Sequence, residues 1–475
     1  MNFTGGVEKQ RVFVEQVAST KNIFRISMPA ILTYVTTLLI GLVDLFFIGR
    51  LGTIPLAAVS IGVVTCTTFI TFLEGLRTST TVLTAQFLGA KKYEDVSRTL
   101  NISFVYACIF GVLFFLLAPS LSKLVFSIVK DSNVKLLGID YLKIRLSGFL
   151  FVLILNNISG FFRGFHNTVM PLYMTGFVCL LNVLFNFLLV LGNWGFPALG
   201  VRGAAIATVA SEGIGAFLSI ILLYTSKTTK KKINRRLSYS SLKKLFLKIS
   251  FESGFSEGLV YLAVWGFNQI FILLGPTVIA TQQMSSQIFY ITYFPQLGFF
   301  ISLSVIVGTL FGAKKYGKIS VVFWRVTWIS FTYSLLASVF TFVFAADIVR
   351  FFSPHDLAVV QGVKDILWLI CINQVLSTFC LMLRGVLIGI NESRFLVFAM
   401  FTTGYIFFLP LAYLLGIKYK YGLYGGNIAF IVWSILEIIV MGIWYYRKHK
   451  KIMRHQIRPA VVFKESEIAR EDYNL

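Results

Sequence analysis

A chain of 475 residues with 57% hydrophobic and only 13% charged side chains carries more apolar surface than a water-soluble fold can bury. Its formal net charge of +23 comes with a mean hydropathy of +0.80, so the basic excess points to membrane topology and attraction to anionic headgroups, not to a nucleic-acid partner. The five cysteines, Cys66, Cys108, Cys179, Cys371 and Cys380, fall in apolar stretches without a CxxC pair, which argues against a disulfide framework or a metal site.

From the N-terminus, Met1 to Lys21 is polar and offers no cleavable signal, so residues 1–25 read as a cytoplasmic tail. Runs of about 18 to 25 apolar residues, enough to cross a hydrocarbon core, then follow one another along the chain. The first six are expected near 26–48, 54–87, 98–119, 137–161, 170–192 and 201–225. A second six are expected near 252–274, 278–311, 319–346, 358–388, 393–416 and 423–446. The fold class is therefore an all-α integral membrane protein of twelve helices, in two six-helix lobes at 26–225 and 251–446.

Between the lobes, residues 226–250 read as a basic linker holding Lys230, Lys231, Lys232, Arg235 and Arg236. Most of the 43 Lys and Arg residues fall on the side of this linker and of both tails. Basic residues favour the cytoplasmic face. Both termini, including the tail 447–475, are thus expected in the cytoplasm and the chain in the plasma membrane.

The two halves repeat. Gly89-Ala90-Lys91-Lys92-Tyr93 recurs as Gly312-Ala313-Lys314-Lys315-Tyr316, an offset of 223 residues. Leu191-Gly192 against Leu415-Gly416, and Gly200 and Gly203 against Gly422 and Gly425, keep nearly the same offset. With six spans each, both halves enter from one side, as parallel repeats about an axis along the membrane normal. A substrate site between the lobes, with rocking about it, is the expected arrangement.

Charges inside apolar spans are costly and therefore candidates for function. Asp44 lies five residues before Gly49, roughly 7 to 8 Å into the first helix at about 1.5 Å per residue. A carboxyl at that depth can take up and release a proton; the alternative is an Asp bonded to a neighbouring helix. Asn182 and Asn186, at i and i+4, share one face of the fifth helix and can offer oxygens to a cation or bind helices together. Glu212 and Glu437 sit near mid-membrane in repeat-related helices, as further protonation sites or as groups facing a watery cleft. Glu257 is a weaker candidate of the same kind, and Glu74 with Arg77 reads as a neutralising i, i+3 pair. Gln282, Gln283, Gln287 and Tyr290 in the eighth helix, with Tyr261 and Trp265 in the seventh, are candidate cavity lining, since aromatic faces attract organic cations. Pro29 is a candidate hinge or a proline of the first turn.

Several of these residues also carry a family resemblance. The stretch Pro29 to Gly52, ending Gly41-Leu42-Val43-Asp44-Leu45-Phe46-Phe47-Ile48-Gly49-Arg50-Leu51-Gly52, resembles the first helix and loop of the multidrug and toxic compound extrusion (MATE) exporters. Ala85-Gln86 before Gly89-Ala90, Arg163-Gly164 with Pro171, Asn182-x3-Asn186, and Gly200-Val201-Arg202-Gly203-Ala204-Ala205-Ile206-Ala207-Thr208 resemble later parts of that pattern in order. The similarity covers roughly residues 20 to 446.

The resemblance implies a secondary transporter exporting amphipathic, often cationic, small organic compounds in exchange for H⁺ or Na⁺, with no cofactor and no resident metal. It implies a cation site at Asp44, Asn182, Asn186 and Thr208. Asn186 stands where some members have aspartate, and one carboxylate fewer favours protons over sodium. Ser377 stands where a NorM-like branch has an acidic residue in the tenth helix, and that branch's seventh-helix glutamate has no obvious match, so a DinF-like branch is expected. The protein is expected to work as a monomer.

Other readings fit less well. Gly312-x4-Gly317-Lys318 approaches a phosphate-binding loop, but Ile319 replaces the Ser or Thr that would hold Mg²⁺, and a helix precedes it. A lipid-linked precursor flippase predicts extra spans and a cationic central cavity. A membrane-bound enzyme would need a nucleophile or metal set, and His166, His355, His449 and His455 lie in loops or the tail.

Overall fold

A computed structural model describes residue 16 and residues 18–226, 242–352 and 357–457. The expected basic cluster at 230–236, His355 and most of both tails lie outside the described residues. The described helices are α1 Thr20–Gly49, α2 Thr53–Gly89, α3 Tyr93–Val125, α4 in two pieces (Ser132–Ser147 and Phe149–Gly164), α5 Val169–Leu189 and α6 Gly200–Thr225. They continue with α7 Leu242–Ile270, α8 Pro276–Gly312, α9 Gly317–Phe352, α10 Leu357–Gly389, α11 from Ser393 to Lys418 and α12 Gly422–Ile457. Eleven of these are long and apolar enough to cross a membrane as they stand. The twelfth is α4, whose first piece carries Lys135, Asp140, Lys143 and Arg145 and so dilutes its own apolar signal. A spanning chain must satisfy its backbone internally, and helices do so residue by residue.

Four helices begin earlier than hydropathy suggests: α1 at Thr20, α3 at Tyr93, α4 at Ser132 and α7 at Leu242. Their first turns are polar, and a polar helical turn leaves no apolar run to detect. Residues 242–250 thus open α7 with Lys243, Lys244 and Lys248, and do not belong to a linker. In α11 the ladder loosens into π-helical turns at Phe401–Phe408 and Leu414–Lys418.

The repeat is written into the loop geometry. Gly52 and Gly275, 223 residues apart, precede α2 and α8 with φ of 109° and 102°, a region closed to other residues by their β-carbons. Four helix ends share one left-handed turn, at Lys91, His166, Lys314 and Asn391. In each, the next residue's N–H reaches back to a carbonyl five residues earlier: Lys92 to Phe87, Asn167 to Phe162, Lys315 to Leu310 and Glu392 to Leu387.

Each half has its own buried apolar cluster. Leu76, Leu83, Leu100, Leu153, Phe161 and Phe162 belong to the first, and Ile306, Leu310, Val322, Met382 and Val386 to the second. Where the halves meet, the contacts come as exchanged pairs. Ser27 Oγ donates to Ser302 Oγ at 2.8 Å, and Ser250 Oγ donates to Ser79 Oγ at 2.8 Å. Adding 223 to Ser27 and Ser79 gives Ser250 and Ser302, so a pseudo-twofold relates the two bonds. Gln86 of α2 donates through Nε2 to the Gly389 carbonyl and accepts from Asn391, both at 2.9 Å. Its repeat partner Thr309 of α8 meets His166 Nε2 at 2.7 Å. These cross-contacts cluster at the end carrying the Gly89 and Gly312 turns, here termed the turn end.

Candidate cation-coupling site

The site forms where α1, α5 and α6 converge in the first half. Asn186 Nδ2 donates to Asp44 Oδ1 at 2.8 Å and Asn182 Nδ2 donates to the same oxygen at 3.2 Å. The i, i+4 spacing on α5 stacks the two amides on one face, and a single carboxylate oxygen receives both. Thr208 Oγ1 of α6 lies 3.3 Å from Asp44 Oδ2. The other three residues that the resemblance singles out are therefore within hydrogen-bond reach of the Asp44 carboxylate.

What this arrangement can do follows from counting protons. A threonine hydroxyl has one proton, and Thr208 also donates to the Ala204 carbonyl at 2.9 Å. When it does, Asp44 Oδ2 and Thr208 Oγ1 face each other as two acceptors, a contact completed by a proton on the carboxyl or by a bridging cation. Asn182 and Asn186 are fully buried, and their Oδ1 atoms have no partner among the described residues. A buried carbonyl oxygen without a partner is costly unless something donates to it or is coordinated by it. One carboxylate, one hydroxyl and two amide oxygens are hard donors, suited to H⁺ or a small alkali cation.

Arg145 of α4 backs the site and pairs with Glu212 of α6 at 2.8 and 3.3 Å. Tyr141, one turn earlier, is buried among Asp44, Arg145 and Glu212. Glu212 is thus an ion-pair partner close to the site. Sequence reading missed Arg145 by treating it as topological charge, although it lay inside an expected span. Glu74 and Arg77 pair at 2.8 Å, as their spacing suggested.

The second half holds a different charge set. Arg384 Nη2 of α10 stands 2.6 Å from Glu257 Oε1 of α7. Glu437 of α12 is buried beside Cys380 and Arg384, and its Oε1 has no partner among the described residues. Arg384-Gly385 repeats Arg163-Gly164, a signal present in the sequence but not used for Arg384.

The candidate lining residues divide. Gln282 is buried and donates to Asn268 Oδ1 at 3.3 Å, while Gln283 and Gln287 are exposed on the same helix. Tyr261 of α7 contacts Thr68 of α2, so it stands between the halves, and Tyr290 lies near it. Trp265 is exposed one turn beyond Tyr261. Pro29 is the tenth residue of α1 and so internal, because the helix begins at Thr20 and not near residue 26; the first-turn reading does not hold.

Beyond the membrane-spanning segments, burial pushes the His166 imidazole down to about 4.

Comparison with known proteins relates the whole chain to a family. The family model MatE matches residues 29–188 and 259–414. "Probable multidrug resistance protein NorM" of Thermotoga maritima is 24% identical over 450 residues, covering 92% of this chain and 95% of that protein. A solved structure described as the outward-facing conformation of a multidrug resistance MATE family transporter of the MOP superfamily superposes with a TM-score of 0.86 at 22% identity, covering 92% of this chain and 98% of that one. Another, described as MATE in the bent conformation, gives 0.85 at 22% identity, covering 93% and 98%.

Proposed function

Since the chain belongs to the MATE family of membrane transporters, we propose that it exports small amphipathic or cationic organic compounds in exchange for H⁺, with Na⁺ as the alternative coupling ion. The observation that carries this reading is Asp44 held by Asn182, Asn186 and Thr208, with two amide oxygens left over in a buried site. Binding a proton or cation there neutralises the carboxylate and changes which hydrogen bonds α1, α5 and α6 can make. Helix α1 carries Asp44 toward one end and Ser27, bonded to Ser302 of the other half, toward the opposite end. A change at Asp44 is thereby linked through one helix to the inter-lobe contacts.

The turn end faces the cytoplasm in this reading, because the basic residues concentrate there. Packed lobes at that end then correspond to the outward-facing arrangement. Export needs no second subunit, and anionic headgroups contact the basic ends of α7 and α12. Purified protein in liposomes, loaded with a cationic dye and given first a pH gradient and then a Na⁺ gradient, tests the reading. Dye movement under the pH gradient alone supports proton coupling, and under the Na⁺ gradient alone, sodium. No movement under either, across several cationic dyes, removes the antiport reading.

A further inference from the structure

In the second lobe, two carboxylates compete for one guanidinium. Glu257, Arg384 and Glu437 come from α7, α10 and α12. Glu437 is 6% exposed, and its Oε1 has no partner among the described residues. Arg384 is 4% exposed; its Nε likewise has none, and its Nη2 meets Glu257 Oε1 as an ion pair without hydrogen-bond alignment. The other titratable groups facing this cluster are Arg77 of α2, near Glu257, Tyr293 of α8, and Cys380 of α10, whose thiol lies against both Glu437 and the Ser434 carbonyl, the latter at 3.4 Å. Among the described residues, no further basic group is among the charges facing Glu437.

Charge balance decides the protonation. One buried guanidinium offsets one carboxylate, and a second ionised carboxylate at this depth would be left without a counter-charge. We propose that Glu437 and Glu257 share Arg384 as a second proton-binding site, separate from Asp44 and in the opposite lobe. In the structure Arg384 is committed to Glu257 at 2.6 Å, so the proton sits on Glu437. Loss of that proton to cleft water leaves a Glu437 carboxylate that draws Arg384 through its unused Nε–H. Glu257 is then freed.

Glu257 is the group through which this exchange reaches the other lobe. Its side chain is 27% exposed, and Arg77 of α2 lies within its electrostatic reach. Arg77 already pairs with Glu74 of its own helix. A freed Glu257 adds an attraction between α7 and α2, the pair of helices that meet through Ser79 and Ser250. The second proton thus governs how strongly the lobes hold together, and each transport cycle carries two protons.

The site itself is testable without transport, and only its part in the cycle rests on the antiport reading. Infrared spectra of purified Asp44→Asn protein at neutral pH should show a protonated carboxyl band. That band should vanish in Asp44→Asn with Glu437→Gln. It should also vanish in Asp44→Asn with Glu257→Gln, where Glu437 has Arg384 to itself and ionises. Absence of the band in Asp44→Asn alone, or its survival in the Glu437→Gln background, overturns the site. Survival in the Glu257→Gln background overturns the sharing of Arg384. In liposomes of the protein with Asp44 intact, Glu437→Gln should halve the protons moved per dye exported. An unchanged ratio would remove this site from the cycle while leaving Asp44 coupling in place.

Discussion

Gly312 packs so tightly on Gln86 that a β-carbon on the glycine would lie 1.9 Å from the Gln86 carbonyl oxygen. The repeat partners Gly89 and Thr309 show the same approach, at 2.1 Å. Two backbones from opposite lobes therefore touch at both symmetry-related places, which only glycine permits. Gly312→Ala should push the lobes apart at the turn end, with an overpacking cost of about 1–3 kcal/mol confined to the packed state. Alkylation of a cysteine introduced at the buried inter-lobe position Ala85, in a background without the five native cysteines, should accelerate by roughly tenfold or more. Equal alkylation rates with and without Gly312→Ala would show that this contact does not hold the lobes.

His166 adds a pH dependence to the same end. Its imidazole, 2.7 Å from Thr309 Oγ1 of the other lobe, is pushed by burial from an ordinary 6.5 down to about 4. Separated lobes expose the ring and restore its usual proton affinity. Below pH 6.5 the separated state binds a proton that the packed state refuses, so acid favours separation until both are protonated near 4. Stability of the packed end from this source is complete above the ordinary value. In an Asp44→Asn background, alkylation at position 85, taken relative to an exposed reference cysteine that corrects for the loss of thiolate in acid, should rise by at most about tenfold per pH unit as pH falls from 7 to 5. His166→Gln keeps a donor for Thr309 and should flatten that rise; an unaltered profile would clear His166 of the effect.

Much of this site was legible before any coordinates, for a specific reason. Asp44, Asn182 and Asn186 are polar in spans that are otherwise apolar, and hydrocarbon makes such residues stand out. The buried arginines were harder to read. Arg145, Arg163 and Arg384 count toward topology in a charge tally, and only packing shows that Arg145 and Arg384 are partners of Glu212 and Glu257. The exchanged serine contacts were invisible for the opposite reason, since Ser27, Ser79, Ser250 and Ser302 are ordinary residues whose meaning lies in the 223-residue offset combined with the inter-lobe geometry. Helix starts at 20, 93, 132 and 242 were misplaced because polar first turns carry no hydropathic signal.

Pro29, internal to α1, leaves the Arg25 carbonyl without the N–H it would meet in an uninterrupted helix. Thr33 Oγ1 donates to the Pro29 carbonyl at 2.8 Å, in the turn that follows the weakened one. Ser27 lies on one side of this point and Asp44 on the other, so bending here moves the proposed coupling site relative to the lobe contact. Pro29→Ala restores one backbone bond and stiffens the helix by up to about 3 kcal/mol. Dye export should slow several-fold while equilibrium dye affinity stays within a factor of about two. Wild-type turnover in Pro29→Ala would remove the hinge.

Topology admits a direct check. The basic residues of 226–250 and of the C-terminal tail should lie on the cytoplasmic face. Single cysteines placed in either segment should react with a membrane-impermeant maleimide only after the membrane is opened. Reaction in sealed cells at either segment would invert the orientation, and with it the identity of the open side.

The proposed coupling mechanism rests on Asp44. If the carboxyl alternates between protonated and ionised forms during turnover, Asp44→Asn fixes a neutral mimic that cannot release a proton, and gradient-driven export should fall to the rate of protein-free liposomes. The fold should persist, because an amide of nearly equal volume keeps hydrogen-bonding atoms toward Asn182, Asn186 and Thr208 while removing the desolvation cost of a charge. Asp44→Glu keeps the acid but shifts it by one methylene in a site set by contacts of 2.8 to 3.3 Å, so partial export is expected. Dye binding to Asp44→Asn at equilibrium separates two roles: retained affinity assigns the residue to coupling alone, and lost affinity places it in the substrate pocket as well. Asn186→Asp supplies a second carboxylate beside Asp44 and should shift coupling toward Na⁺, because two adjacent carboxylates hold a cation more strongly than one. Gradient-driven export by well-folded Asp44→Asn at the wild-type rate would place the coupling site elsewhere, with the carboxylates around Arg384 as the remaining buried candidates in the opposite lobe.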